Sequence, residues 1–448
     1  MNDSPKKPDQ RRGWLRLIAF FIIPALFIFA ANRLLLQTDA HSYYMMLEMT
    51  QRDDIDMALV GSSVVAYNID PEVLTEKTGL TAFDVSVGTM GLPSSIAVTR
   101  QLFATNSPQI VVLVLDPNTL TSPEEDIQAQ LRVFSFIKNP VERLTYTLDL
   151  MMQDGQFLDR LLLFKSQPVT SPADIRKNIE IRVDPQGYAE RNTLDEGPVS
   201  YHGRGRVRVN LTPRKGKLLR ETSIRPFTVT RQKGLYPYTQ RKLLAFRKLC
   251  EENGARLLVM FGPDLTAHRL ATGGYADKYT AVAAFCRENG IDFYDFSIAR
   301  PEFIPRMDDY FYDLYHMNFE GSQLFSEKLG EFFALYLAGE PVDQLFYASQ
   351  QDYIEHIDFI TNTWIEQRSE DGQDVFKADC LRGRTVLPEY AFYLVGEDDS
   401  LELLQDYSNR DEYRCTAGSL SGETLRVYAR PMGSQETLPE IFNDLSIR

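Results

Sequence analysis

Cysteine and histidine are scarce: 448 residues hold four of the first and five of the second. Cys250, Cys286, Cys380 and Cys415 form no CxxC pair and keep no Cys-His spacing, which argues against zinc or any other resident metal. No phosphate loop is present; "GPDLTAHRLATGGYADKY" (262–279) carries a Gly-Gly turn and implies no nucleotide or other cofactor. Cations are also in deficit, with 48 Lys and Arg against 62 Asp and Glu, a net charge of -14. That balance argues against nucleic acid as a partner. Internal repeats and low-complexity segments are absent.

Long apolar runs are confined to one place. Lys6, Lys7, Arg11, Arg12 and Arg16 precede "LIAFFIIPALFIFAANRLLL" (17–36), and residues 17–32 carry no charge. The run is long enough to span a bilayer, with Arg33 set to snorkel at the far interface. A basic flank keeps residues 1–12 in the cytoplasm as a tail, makes 13–36 the anchor and places the rest outside. A cleaved signal peptide is the alternative; no small-x-small cleavage site follows the run, which favours an anchor in the cell membrane.

The chain is too long for one ordinary core, so two domains are expected. Within the first domain, 37–340, residues 55–337 largely alternate short apolar runs with amphipathic stretches. "IDMALV" (55–60), "TAFDVSV" (81–87), "QIVVLVLDP" (109–117), "ARLLVMFGP" (255–263) and "IDFYDFS" (291–297) read as strands. Their continuous apolar character suits a parallel sheet covered on both faces. Helical patterns cover 94–106, 238–254 and 275–290, the last two ending in Asn-Gly. The expected fold is therefore α/β, a three-layer doubly wound parallel sheet, its site beyond the carboxyl ends of the strands.

An insertion at about 122–236 interrupts the repeat. Its part from 202 to 234 holds ten Lys or Arg against one acid, Glu221, and reads either as a solvated loop or as a surface facing a polyanion. Residues 345–448 form a small β-rich domain, opening on a helix at about 347–368. Cys380 and Cys415 both lie in it as disulfide candidates; Cys250 and Cys286 sit on successive helices and read as buried apolar residues.

The residues with chemical potential follow the strands. Gly61-Ser62-Ser63 ends the first, where a serine is either a helix cap or a nucleophile. Gly88 and Gly91 follow the second strand and Asn118 the third. Asp313 precedes His316 by three residues, with Asn318 the N-cap of a following helix. On a tight turn that spacing lets the carboxylate orient one imidazole nitrogen and leaves the other to take a hydroxyl proton. His268, four residues after Asp264, is the competing base. Asp308 and Asp309 form a carboxylate pair without the further ligands a metal needs. Tyr310, Phe311, Tyr312 and Tyr315 are expected to pack around the site.

Taken in order, these blocks resemble the SGNH (GDSL-type) hydrolase superfamily over roughly residues 55–337. The resemblance implies Ser63 as nucleophile, His316 as base and Asp313 as its orienter. The oxyanion would be met by the N–H groups of Ser63 and Gly88, with Gly91 the alternative, and by the Asn118 amide. Ser62 replaces the usual block-one Asp, Asp84 the block-two Asn, and block three reads Asp116-Pro117-Asn118-Thr119. Such departures resemble a membrane-anchored, extracytoplasmic branch that includes the D-alanine transfer proteins and alginate-type O-acetyltransferases. The branch implies acyl transfer or ester hydrolysis on an envelope glycopolymer, beside a polytopic membrane acyltransferase. A non-catalytic scaffold or polymer-binding protein on the same fold is the other expectation.

Overall fold

A computed structural model describes residues 10–36, 38, 40–115, 126–154, 162, 165, 169, 171–191, 199–209, 226–228, 235–273, 275–439 and 441–447. Its first element, α1 (Gln10–Leu35), contains the apolar run Trp14–Asn32, long and apolar enough to cross a membrane. Nearly all of its large side chains there are exposed.

The α/β part begins with α2 (Ala40–Gln51) and β1 (Met57–Gly61). Next come α3 (Ser63–Asn68), α4 (Pro71–Thr78), β2 (Ala82–Ser86), α5 (Leu92–Phe103) and β3 (Ile110–Leu115). The insertion contributes α6 (Ile127–Phe136), α7 (Pro140–Asp154), α8 (Pro172–Val183) and α9 (Pro185–Arg191). It also carries the hairpin β4 (Val199–Tyr201) and β5 (Val207–Val209), and the short β6 (Phe227–Thr228). The repeat resumes with α10 (Pro237–Glu252), β7 (Arg256–Phe261), α11 (Thr266–Ala271), β8 (Thr272–Gly273), α12 (Tyr275–Glu288), β9 (Asp292–Asp295) and α13 (Phe319–Leu337).

Five strands, all five of the expected ones, pair in parallel in the order β2-β1-β3-β7-β9. Alternate residues feed opposite cores, as strand pleating requires. Ala58 and Val60 face the layer built from α2, α5, α6, α10 and α12, whereas Met57 and Leu59 face α3, α4 and α13. The sheet is thus wound on both sides. Its order reverses beside β1, and in such sheets ligands bind outside the carboxyl ends of the strands at that crevice. The Asn-Gly stops work as expected: Gly254 and Gly290 take φ of 74° and 60°, and the next N–H folds back onto Cys250 and Cys286.

The C-terminal part corrects two expectations. The helix expected over 347–368 is only α14 (Gln350–His356); a strand, β10 (Ile360–Glu370), follows at once. "ITNTWI" is rich in β-branched side chains and buried on both faces, a composition that favours extended chain. β10 pairs with β11 (Gln373–Arg382), which pairs with β14 (Glu412–Thr416). A second sheet, β13-β12-β15-β16, combines β12 (Pro388–Val395), β13 (Leu401–Ser408), β15 (Thr424–Pro431) and β16 (Phe442–Ser446). Ile365, Phe376, Phe392 and Val427 fill the space between the two sheets. Trp364 and Leu381 point instead into the core beneath α13, so the β region is packed onto the α/β part.

The second correction concerns the thiols. Cys415 lies opposite Asp374, six residues along β11 from Cys380. That separation is roughly 20 Å, whereas a disulfide requires Cα atoms within about 7 Å. All four cysteines are free, and burial pushes the Cys250 and Cys286 thiols up to about 12. Native protein is therefore expected to take up a thiol reagent at Cys415, with Cys250 and Cys286 reacting only after unfolding, and to melt at the same temperature with or without reductant. A Cys380–Cys415 cross-linked peptide in a non-reduced digest is the contrary result.

Candidate active site

The first strand ends in a residue that must be glycine. A Cβ on Gly61 would lie 2.7 Å from both the Val114 carbonyl and the Val65 side chain. The following serines then separate into two jobs. Ser62 is buried and extended, and its Oγ accepts the Val64 N–H at 3.4 Å as the N-cap of α3. Ser63 is the first helical residue, its side chain half-buried at the carboxyl edge of the sheet.

Across that edge, 253 residues later, the loop before α13 presents His316. Its Nε2 lies 2.8 Å from Ser63 Oγ, and its Nδ1 lies 2.8 Å from Asp313 Oδ2. Asp313 is itself fixed by the turn: Oδ1 accepts the N–H groups of Tyr315 and His316, each at 2.8 Å. Burial pushes the Asp313 carboxyl up, but the His316 hydrogen bond and charge and the two N–H groups outweigh it, holding the carboxyl below its ordinary 3.8. The Tyr67 ring sits 4.7 Å from the imidazole and Tyr312 stacks on it at 5.8 Å. Asn318 caps α13 as the sequence suggests, accepting the Gly321 N–H at 2.9 Å.

Asn68 makes this register possible, and nothing in the sequence marks it. It closes α3 five residues after Ser63, fully buried. Its Oδ1 accepts the Met317 N–H at 2.7 Å and its Nδ2 donates to the Tyr315 carbonyl at 3.2 Å. The helix bearing Ser63 is thus bonded to the backbone on both sides of His316.

Gly88 stands beside the serine turn: Gly61 pairs with Ser86, and the Val87 N–H donates to the Gly61 carbonyl at 3.2 Å. The N–H groups of Ser63 and Gly88 have no acceptor among the described residues. Gly91 is instead the N-cap residue of α5. Arg132 of α6 donates to the Gly88 carbonyl at 3.3 Å, a support the sequence does not announce. Asn118, with Asp116, Pro117 and Thr119, lies outside the described residues.

The other candidates are elsewhere engaged. His268 on α11 faces Asp264 at 3.6 Å and the Tyr315 ring edge-on; the imidazole that reaches Ser63 Oγ is that of His316. Asp308 is buried and accepts the Thr266 N–H and Arg306 Nε, each at 2.7 Å. No group of three His, Cys, Asp or Glu among the described residues is placed to hold a metal. Of the basic segment, residues 210–225 and 229–234 lie outside the described residues. Within its described start Arg206 turns inward: it is buried and pairs with Asp70 at 2.6 Å, so this arginine is not offered to a polyanion.

That same hairpin closes the sheet edge over Asp84. The Asp84 N–H donates to the Arg204 carbonyl at 2.9 Å, and a Cβ on Gly205 would fall 1.9 Å from the Asp84 carbonyl oxygen. Oδ1 of Asp84 accepts the Ser86 N–H at 2.8 Å, while Oδ2 is buried without a hydrogen-bond partner. Burial therefore pushes this carboxyl from 3.8 up to about 7. No family model and no curated protein matches the chain.

Two outcomes are expected. Asn68→Ala strands a buried N–H and a carbonyl and should destabilise the protein by about 2–4 kcal/mol in urea unfolding; an unchanged midpoint would contradict the clamp. For Asp84, the folded state holds a proton that the unfolded state has released. Its stabilising contribution is complete below about pH 4 and is lost as pH rises through about 7, amounting to about 4 kcal/mol. Asp84→Asn should flatten that pH dependence and be the more stable protein at about pH 8; a parallel profile would show that Asp84 does not titrate there.

Proposed function

We propose that this chain is a membrane-anchored serine esterase or O-acyltransferase of SGNH type. It would act outside the cytoplasm on acyl esters, acetyl or alanyl, of an envelope polysaccharide or related glycopolymer. The observation that carries the reading is the unbroken chain Asp313–His316–Ser63, with 2.8 Å at both links. A serine hydroxyl is a weak nucleophile until a base within hydrogen-bond reach removes its proton, and that base needs an orienter.

In this reading His316 Nε2 takes the Ser63 proton as Oγ bonds to the ester carbonyl carbon. The resulting oxyanion meets the Ser63 and Gly88 N–H groups and, on the family resemblance, the Asn118 amide. His316 then returns the proton to the departing alcohol oxygen as the C–O bond breaks, leaving an acyl-Ser63 ester. The second half repeats these steps with an incoming hydroxyl, and Asp313 stabilises the imidazolium in both. Transfer is preferred to hydrolysis because of the apolar span and the branch that the sequence resembles. On the same resemblance, a polytopic membrane acyltransferase would be its partner.

Full-length protein in detergent is expected to be labelled on Ser63 by a fluorophosphonate, with intact mass as the readout. Ser63→Ala should abolish labelling, His316→Ala should slow it at least about a hundredfold, and Ser62→Ala should retain it. Equal labelling of Ser63→Ala and wild type would sink the proposal. Folded wild type that takes no label would favour a binding scaffold on the same fold.

A further inference from the structure

The apolar side chains left on the surface between residues 37 and 236 are not scattered. Among the described residues, the large exposed ones are Val141, Leu144, Leu148 and Met152 on α7 and Ile179 and Val183 on α8. On α7 their exposures are 68%, 59%, 48% and 84%. At 100° per residue these four positions fall within a sector of about 80°. Thr145 shares that face and turns its hydroxyl back to the Val141 carbonyl at 2.9 Å. Two of the acids of α7 are drawn away from it, Glu142 to Gln101 and Asp149 to Lys242.

α8 is bonded to the residues that follow the apolar span, and α7 touches the span's last turn. Asn178 of α8 donates to the carbonyls of Leu34 and Leu36 at 3.2 and 2.8 Å and accepts the Thr38 N–H at 3.0 Å. Arg182 adds a bond to Thr38 Oγ1 at 2.8 Å. The Arg143 guanidinium of α7 lies 5.3 Å over the ring of Phe29, inside the span itself. Leu36 packs on Leu131 of α6. No slack linker separates the span from these helices.

We infer that the exposed apolar faces of α7 and α8 lie in the interfacial layer of the bilayer that α1 crosses, so that the protein is seated on the membrane as well as tethered to it. α7 packs its inner side into the core through Tyr146 and Leu150 and turns an uncharged apolar stripe outward. Ile179 and Val183 of α8 lie beside the exposed Arg176–Glu180 pair, and such a mix of apolar and charged groups suits the headgroup boundary. Phe29 fixes its depth, because Arg143 cannot sit over that ring unless α7 is at the edge of the span. One consequence reaches the site. Leu131 packs on Leu36, four residues past the span, and its neighbour Arg132 holds the Gly88 carbonyl, so one helix connects the serine turn to the chain leaving the span. A substrate or acyl donor delivered at the membrane face is the kind that this placement admits.

The inference rests on α1 spanning a bilayer, and the test separates the two. Full-length protein is reconstituted in phosphatidylethanolamine–phosphatidylglycerol vesicles containing a phospholipid with a diazirine just below its headgroup. After photolysis, adducts are mapped by peptide mass. Adducts are expected on peptides from both 14–32 and 140–154. In Leu144→Asp/Leu148→Asp, whose side chains are exposed and whose fold is checked by an unchanged circular dichroism spectrum, the second set should fall several-fold while the first is unchanged. Adducts on the span but none on 140–154, or cross-links joining α7 of two copies, would overturn the interfacial seat alone. An unlabelled span would overturn the membrane reading and the seat with it.

Discussion

Two hydrogen bonds from one buried amide hold the candidate site together. Ser63 and His316 belong to opposite ends of the α/β part. The core shared by α3, α4 and α13 and the Asp70 N–H bond to Ser326 Oγ at 2.6 Å bring those ends together. What is left is to set the serine and the imidazole in register. Asn68 does so by bonding the residues on either side of His316 to the last turn of α3. A side-chain amide suits the task because it gives and accepts at once and carries no charge into a buried place. The Asp313 turn then sets the imidazole ring, and Tyr67 and Tyr312 wall it in. The tolerance for catalytic alignment is of the order of 1 Å, which makes this clamp the element on which the proposed chemistry turns.

Much of the fold was legible because parallel strands advertise themselves. "MALVG" and "IVVLVL" are apolar at every position, and a chain buried on both faces admits little else. The Ser63, Asp313 and His316 positions could be found because each follows a strand end or a tight turn with a mechanistic reason for its residue type. Asn68 and Arg132 could not. A polar residue at a helix end looks the same whether it clamps a loop or faces water. The C-terminal misreading has the same origin: "ITNTWI" suits a strand only when β11 is there to pair with it, and pairing is not local. The disulfide expectation failed on register, which counts residues along strands and not cysteines along the chain.

The insertion, at first sight an interruption, ties the parts of the molecule together. Its helices grip the end of the apolar span, its Arg132 supports Gly88, and its hairpin caps the β2 edge over Asp84. The hairpin also takes up the Asp84 N–H on that edge strand. Arg206, which the sequence groups with a basic surface, is spent inward on Asp70. Apolar helix, scaffold and serine turn are therefore mechanically continuous, an arrangement that would suit the proposed chemistry at a membrane face better than a tethered, freely tumbling domain.

The most direct test of the central claim is to trap the acyl intermediate. Full-length protein exposed briefly to an activated aryl acetate, quenched in acid and digested, should carry one acetyl group on the peptide containing Ser63 and none in Ser63→Ala. Added glycopolymer hydroxyls should discharge it faster than water alone. An acetyl group found elsewhere, or a wild type that turns over ester with Ser63 never modified, would contradict the account.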